Sequence, residues 1–241
     1  MHEMNTLNYP LNSVSIFVGT GRCNANCNHC AGLPLRKYAP KEDGVLNEAL
    51  IERTLRACYE KGARSLSISS SGEPTLSPKS VTRVLEIAHG MRKEGINYQR
   101  ASLYSNGIRI GEEENFSREY LSLWKELELK TVYVTVHDID ETRNAQIYGV
   151  KSYPSLELVV SRIHDAGMSM RANLVLSKNT ICTAKKFIHT VKYLRKIGVD
   201  EVSAWPIRNM QDEVDRSLSP IKSELDLMEK EISAMDFRVR L

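Results

Sequence analysis

Strand-like and helix-like segments alternate along this chain in a regular order, and the alternation restricts the folds it can adopt. The strand-like segments cover 14–18, 65–70, 101–105, 131–136, 168–176 and 201–205. The helix-like segments cover 47–61, 79–94, 117–129, 155–166, 183–197 and 221–234. Apolar residues recur at helical spacing in the second set, and Gly62, Gly95, Gly167 and Gly198 stand where C-terminal caps are expected. Six successive βα units predict parallel strands joined by right-handed crossovers.

Two architectures can be built from such units. A closed barrel of eight units takes about 250 residues, whereas six units are visible here. We therefore predict an α/β fold, an open (βα)6 partial TIM-type barrel, with a doubly wound sheet as the alternative. We expect a single domain over 1–241, with a core at about 13–208 and a C-terminal helix and tail at 209–241. Ser219 and Pro220 are expected to begin the last helix.

One face of several predicted strands is polar. Ser65, Ser67 and Ser69 share a face of the second strand, and Arg171 and Asn173 share a face of the fifth. The interior of a filled barrel favours Val, Ile and Leu instead. The pattern predicts a polar lumen with polar contents.

Composition excludes several classes of protein. A net charge of +3 gives no signal for a nucleic-acid partner, and no apolar run approaches a membrane span. The first nine residues are polar and lack the apolar core of a secretory signal. The odd number of cysteines, five, argues against a disulfide scaffold and for a reducing compartment. We expect a cytoplasmic globular protein.

Three of the cysteines, Cys23, Cys27 and Cys30, fall within eight positions. Their spacing is also that of a helix face, but the glycine and three asparagines around them oppose a helix. A zinc ion is an alternative, although His29 adjoins Cys30 and both can hardly serve one tetrahedral ion. Thiolates and a flexible loop suit an iron–sulfur cluster better. Three thiolates would bind three irons of a [4Fe–4S] cube and leave the fourth iron open.

This cysteine spacing, in a loop after the first strand, resembles the CxxxCxxC signature of radical S-adenosylmethionine (SAM) enzymes. The resemblance extends over about residues 13 to 208. It implies a [4Fe–4S] cluster whose open iron is chelated by the amino and carboxylate groups of SAM. Reductive cleavage of SAM would give a 5′-deoxyadenosyl radical that abstracts hydrogen from a polar substrate. A low-potential electron donor of flavodoxin or ferredoxin type is implied as a partner.

The same resemblance implies cofactor-binding residues at the strand ends. "SSGEPTL" at 70–76 resembles the GGEP motif of the family, with Ser71 in place of its first glycine. "YSNG" at 104–107 and "SAWPI" at 203–207 resemble segments that end the third and sixth strands. The implied cofactor-binding residues are His29, Gly72, Glu73, Ser105, Asn106, Thr135, Arg171 and Ile207.

The substrate class stays open at this point. A small molecule, a nucleotide or a peptide is compatible with the resemblance, in cofactor biosynthesis or in protein modification. The alternatives are an activase of glycyl-radical enzymes and a non-catalytic iron–sulfur or zinc protein on the same barrel. Basic residues near the expected rim, among them Arg36, Arg109 and Arg171, are interpreted as solvated loop charges, with an anionic substrate as the alternative.

Overall fold

The sheet of this protein is parallel throughout and its strands follow the order of the chain. The computed structural model describes residues 10–209, 211, 213–233 and 239–240. The strands of this described part are β1 (Ser13–Phe17), β2 (Ser65–Ser69), β3 (Arg100–Ser105), β4 (Thr131–Val136), β5 (Ser169–Leu176), β6 (Glu201–Pro206) and β7 (Val239–Arg240). Each strand pairs with the next one in sequence. A doubly wound sheet requires a reversal of strand order, so the predicted partial barrel is confirmed and its alternative was wrong.

Helices connect these strands on the outside of the sheet. They are α1 (Glu48–Glu60), α2 (Pro78–Gly90), α3 (Ile108–Glu112), α4 (Glu114–Phe116), α5 (Ser122–Glu126), α6 (Glu141–Tyr148), α7 (Leu156–Asp165), α8 (Ala184–Lys196) and α9 (Lys222–Ile232). Short 3₁₀ turns occupy Leu33–Tyr38, Pro74–Leu76 and Met91–Glu94, and a π turn occupies Ser117–Leu121. The four glycines predicted to cap helices all have positive φ, as such caps require.

Side-chain caps set the beginning of several helices. Asn47, Asp140, Ser155 and Thr183 each accept a hydrogen bond from the backbone N–H three residues later. Such a cap satisfies one of the backbone donors that the first helical turn leaves without a partner. The local sequence therefore determines where these four helices start.

Some predictions about the elements were wrong or incomplete. The helix predicted at 117–129 begins earlier, at Glu114, and ends at Glu126, and α3, α6 and β7 were not predicted. The last helix has Ile221 as its N-cap, without a side-chain hydrogen bond. Ser219 does not cap it, because its hydroxyl donates instead to the carbonyl oxygen of Ile207 at 2.9 Å.

The strands separate an apolar outer face from a polar lumen. Leu66 and Ile68 are fully buried in the core, whereas Ser65, Ser67 and Ser69 on the opposite face remain half-buried. The strand register aligns hydroxyl side chains at one level of the lumen across five strands. These are Ser15, Ser67, Ser102, Thr131 and Ser169. The predicted polar lumen is present.

Some sequence-based expectations concern residues near the termini. The polar start at 1–9 and the predicted end of the last helix at 234 lie outside the described residues. Of the expected tail, 239–240 are described and form β7. Among the described residues, none of the helices has both the length and the apolar character that a membrane crossing requires.

The two faces of β2 should differ in their contribution to stability. We expect Ile68→Ala to lower the free energy of unfolding by about 3 kcal/mol, because it leaves a cavity in the outer core. Ser67→Ala, one position away, should change it by no more than about 0.5 kcal/mol, because a small lumen hydroxyl is removed. Urea denaturation of both variants, followed by circular dichroism, measures the difference. An equal loss of unfolding free energy in the two variants would show that the lumen face is packed like a hydrophobic core.

Candidate functional site

The three clustered cysteines lie in the loop between β1 and the 3₁₀ turn Leu33–Tyr38, which we call the cysteine loop (residues 18–32). All three thiols are free and partly buried. Burial raises the pKa of Cys23, and burial together with the neighbouring Cys30 and Cys23 raises the pKa of Cys27 to about 11. Without a metal these two thiols are therefore neutral at physiological pH, and a soft metal would have to bind them as thiolates.

The cysteines do not form a convergent site for one ion. Within the described part of the chain, no three His, Cys, Asp or Glu side chains come together closely enough to hold a metal ion. A single zinc ion needs such convergence, with all donors at about 2.0–2.3 Å. In a [4Fe–4S] cluster, by contrast, each of the three cysteine sulfurs would bind a different iron, so the sulfurs need not converge on one point.

The cysteine loop packs directly on the turn that follows β2. The backbone N–H of Glu73 donates to the carbonyl oxygen of Arg22 at 2.8 Å. Gly72 lies so close that an added Cβ would stand 2.1 Å from that same oxygen. A second close approach occurs at Gly32, whose added Cβ would stand 2.4 Å from the carbonyl oxygen of Ser71. Only glycine allows two backbones to approach this closely.

The buried carboxylate of Glu73 connects the ends of β2 and β3. Its Oε1 accepts hydrogen bonds from the backbone N–H and hydroxyl of Thr75, at 3.1 and 2.8 Å, and from the Ser105 hydroxyl at 2.8 Å. Its Oε2 accepts one from the backbone N–H of Asn106 at 2.7 Å. Burial raises the pKa of Glu73, and these hydrogen bonds partly offset the rise. Glu73 therefore orders the turn that carries Gly72.

Asn106 links the end of β3 to the cysteine loop. Its amide Nδ2 donates to Oδ1 of Asn24 at 2.7 Å and lies 3.9 Å from the sulfur of Cys23. The backbone carbonyl oxygen of Asn106 accepts a hydrogen bond from the hydroxyl of Tyr153 at 2.8 Å. The loop is thus held by the side chain that directly follows β3, in addition to the backbone of the turn after β2.

Two more contacts complete the support of the loop. The backbone N–H of Asn26 donates to the carbonyl oxygen of Tyr148, the last residue of α6, at 2.7 Å. Arg36 donates from Nε to the carbonyl oxygen of Ser71 at 3.2 Å, and its Nη2 lies 3.9 Å from the sulfur of Cys30.

Two cavities open on either side of the cysteine loop. The lumen cavity, of about 640 Å³, is bordered by β1, β2, β3 and β4 and by the turn that carries Gly72. The α6 cavity, of about 520 Å³, lies between the loop, α6 and the segments that follow β5 and β6. Both volumes are in the range of ligand sites in enzymes.

The structure distributes the predicted cofactor-binding residues between these cavities. Those that border the lumen cavity are Gly72, Glu73, Ser105 and Thr135. Those that border the α6 cavity are His29 and Ile207. The carbonyl oxygen of Ile207 is already engaged, because it accepts hydrogen bonds from the backbone of Asp215 and the hydroxyl of Ser219.

Arg171 lies on the lumen face of β5. Its guanidinium stacks on the ring of Tyr133, 3.5 Å from the ring centroid, and its Nε donates to Oδ1 of Asn173 at 3.1 Å. Tyr133 in turn makes an edge contact with Tyr104, with ring centroids 5.0 Å apart. The strand register places these three side chains at one level of the lumen.

The sequence pattern put His137 on the polar face of the fourth strand together with Thr135, but gave it no role in the site. Its ring is 2% exposed and makes edge contacts with His29, at 4.9 Å, and with Tyr148, at 4.6 Å. Burial, with a smaller effect of His29, lowers the pKa of His137 to about 3. Arg22, Asn24 and the backbone of Tyr148 were also missed, because they act through contacts with residues far away in the sequence.

Comparison with known proteins agrees with this geometry. The family model of the Radical SAM superfamily matches residues 17–213. A GTP 3′,8-cyclase from Vibrio vulnificus (strain YJ016) is 25% identical over 176 residues, which cover 72% of this chain and 49% of that protein. A GTP 3′,8-cyclase from Aquifex aeolicus (strain VF5) is 25% identical over 250 residues, which cover 97% of this chain and 72% of that protein. The chain therefore spans about half the length of the Vibrio relative.

A solved structure shows the same fold. The crystal structure of Streptococcus suis SuiB bound to S-adenosylmethionine matches this chain with a TM-score of 0.64. The match covers 97% of this chain and 47% of that one, at 17% sequence identity. At this identity the likeness shows the fold alone.

Gly72→Ala should disturb the site and the fold together. Because the new Cβ would meet the Arg22 carbonyl at 2.1 Å, two backbone segments must move apart, at a cost of about 2 kcal/mol in the free energy of unfolding. Gly90→Ala is the matched control, since nothing lies within 4 Å of its added Cβ. Urea denaturation and iron content after anaerobic reconstitution measure both effects. A Gly72→Ala protein with normal stability and iron would contradict the close packing.

His137 should make the metal-free protein sensitive to acid. Its pKa is lowered in the folded state, so the unfolded chain takes up the proton first as the pH falls below about 6.5. The folded state then loses stability down to about pH 3, by about 2 kcal/mol at pH 5. We expect His137→Phe, which keeps a ring, to be less destabilised than the wild type between pH 7 and pH 5. Exposed His189→Phe is the control, and denaturation at both pH values is the measurement.

Proposed function

Because this chain belongs to the radical SAM superfamily, whose members use a [4Fe–4S] cluster and S-adenosylmethionine, we propose that it cleaves SAM reductively to act on a polar substrate. The observation that supports this most directly is the packing of the cysteine loop on the turn after β2. There the backbone of Gly72 meets the backbone of Arg22, the residue that precedes Cys23. Because all strands with described pairing belong to one sheet, we treat the chain as a single radical SAM core.

Cys23, Cys27 and Cys30 are the proposed cluster ligands. They fit the group because they are free, lie on one loop and have sulfur donors suited to iron. When bound, the cluster and SAM supply the one-electron chemistry that produces a 5′-deoxyadenosyl radical and methionine. The chain holds the thiols in place through Asn24 and Asn26, and Arg36 places a positive charge beside Cys30.

The proposed SAM site uses both cavities. His29 and Ile207 would border the nucleoside in the α6 cavity, and Gly72 and Thr135 would approach the methionine part from the lumen side. Gly72 is suited to this because its main chain is accessible without a side chain.

Three of the predicted residues have altered roles in this proposal. Glu73 and Ser105 bond each other, and Asn106 bonds the cysteine loop, so we propose that they position the site rather than contact SAM. The Nη groups of Arg171 have no hydrogen-bond partner among the described residues, and they would contact the carboxylate of SAM or an anionic group of the substrate.

The similarity to two GTP 3′,8-cyclases supports a nucleotide as the substrate. Their sequences extend beyond the part matched here, so the activity of those proteins is a proposal for this chain and not a consequence of the match. A flavodoxin- or ferredoxin-type protein would donate the electron. Free thiols throughout the described part fit a reducing, cytoplasmic environment.

Anaerobic reconstitution tests the proposed function. The wild type should bind about four irons per chain and, with dithionite, release 5′-deoxyadenosine from SAM. Cys27→Ala should lose the cluster and this activity, whereas Cys58→Ala, a partly buried cysteine of α1, should keep both. Iron analysis, electron paramagnetic resonance and chromatography are the measurements.

Two results would contradict the proposal. Unchanged iron in Cys27→Ala would refute the ligand assignment. An intact cluster without release of 5′-deoxyadenosine would favour the non-catalytic alternative.

A further inference from the structure

Free hydroxyl groups border the lumen cavity. The side chains of Ser15, Ser69 and Thr135 lie at its wall. None of these three hydroxyls has a hydrogen-bond partner among the described residues. A hydroxyl group can both donate and accept hydrogen bonds. Together these three therefore suit a ligand whose own groups both donate and accept hydrogen bonds.

Exposed aromatic rings form another part of the same wall. Phe17 is 59% exposed and Tyr104 is 37% exposed, and both border the cavity. Tyr104 is held in place by its edge contact with Tyr133. Flat apolar surfaces beside hydroxyl groups suit a ring with an apolar face and polar substituents.

The cavity offers no free charge to a ligand. Glu73 is the one Asp, Glu, Lys or Arg among its described lining residues, and its carboxylate already accepts four hydrogen bonds. Two cations near the rim are also engaged: Arg36 with the carbonyl of Ser71, and Arg109 with Glu113 and the carbonyl of Thr75. Apart from the amino and carboxylate groups of SAM, which the open iron of the cluster would bind, an ionic group placed in this cavity would lose its hydration without gaining a charged partner.

We propose that the lumen cavity binds an uncharged ring with hydroxyl substituents, the sugar of a nucleoside or a free sugar. This proposal rests on the proposed radical SAM function, in which the methionine part of SAM occupies the side of the cavity next to Gly72 and the substrate occupies the rest. A charged substituent would extend out of the cavity towards Arg171, on the far side of Tyr133. Ser67, at the same level of the lumen as Ser15, also borders the cavity, and Ser102 lies beside it on β3.

Binding measurements test the proposal without requiring turnover. Cluster-loaded protein with SAM is titrated anaerobically with guanosine, D-ribose and GTP, and binding is followed by saturation-transfer NMR and calorimetry. We expect guanosine or ribose to bind, and the Ser15→Val/Ser69→Val variant to bind it at least about tenfold more weakly, because two hydrogen bonds are lost. Ser65→Val, on the same face of β2 but away from the cavity, should bind as the wild type does.

Each outcome decides between named possibilities. Guanosine binding more tightly than ribose identifies a nucleoside, and equal affinities identify a free sugar. Binding of GTP alone, no binding of any probe, or undiminished binding by the double variant would overturn the proposal. Iron content and SAM binding verify that the double variant is folded, and the milder Ser69→Ala should weaken binding about threefold if the double variant is not. Absence of 5′-deoxyadenosine would refute the proposed function and leave these binding results interpretable.

Discussion

The contact between two backbones, at Arg22 in the cysteine loop and at Gly72 and Glu73 in the turn after β2, is the constraint on which the site depends. Because the contact is made by main-chain atoms, it positions the three thiols relative to the sheet without relying on a side-chain rotamer. The carboxylate of Glu73 extends the constraint, since it bonds the backbone of Asn106 and thereby brings the end of β3 to the same place. Asn106 then reaches back to the cysteine loop through Asn24, which closes a ring of contacts.

The sheet divides stability and function between its two faces. Apolar residues such as Ile68 and Leu103 are buried on the outer face, where burial of apolar surface stabilises the fold. The lumen face carries small hydroxyl residues instead of the branched apolar side chains that fill a closed barrel. Small side chains leave volume, and their hydroxyls keep that volume polar. The same strands can therefore form a core on one side and a ligand cavity on the other.

Much of the fold and part of the site could be predicted from the sequence. The βα alternation, the polar lumen and the cysteine loop were predicted correctly, whereas α6 was missed because its sequence, ETRNAQIY, is polar and has weak helical periodicity. That helix matters, because its last carbonyl, at Tyr148, holds the backbone of Asn26. Glu73, Ser105 and Asn106 were identified from a motif, but the motif could not show that their polar atoms bond one another.

The sequence by itself determined the order of the elements, the spacing of the three cysteines and the face on which each strand is polar. These are local or periodic properties, and they do not depend on how the segments are arranged in the tertiary structure. Only the tertiary structure decided which groups remain free. Arg109 and Ser15 both lie near the lumen, yet the arginine is engaged with Thr75 and Glu113 while the serine hydroxyl has no partner among the described residues. Such pairings join groups that can lie dozens of positions apart, and no local pattern encodes the distances between them.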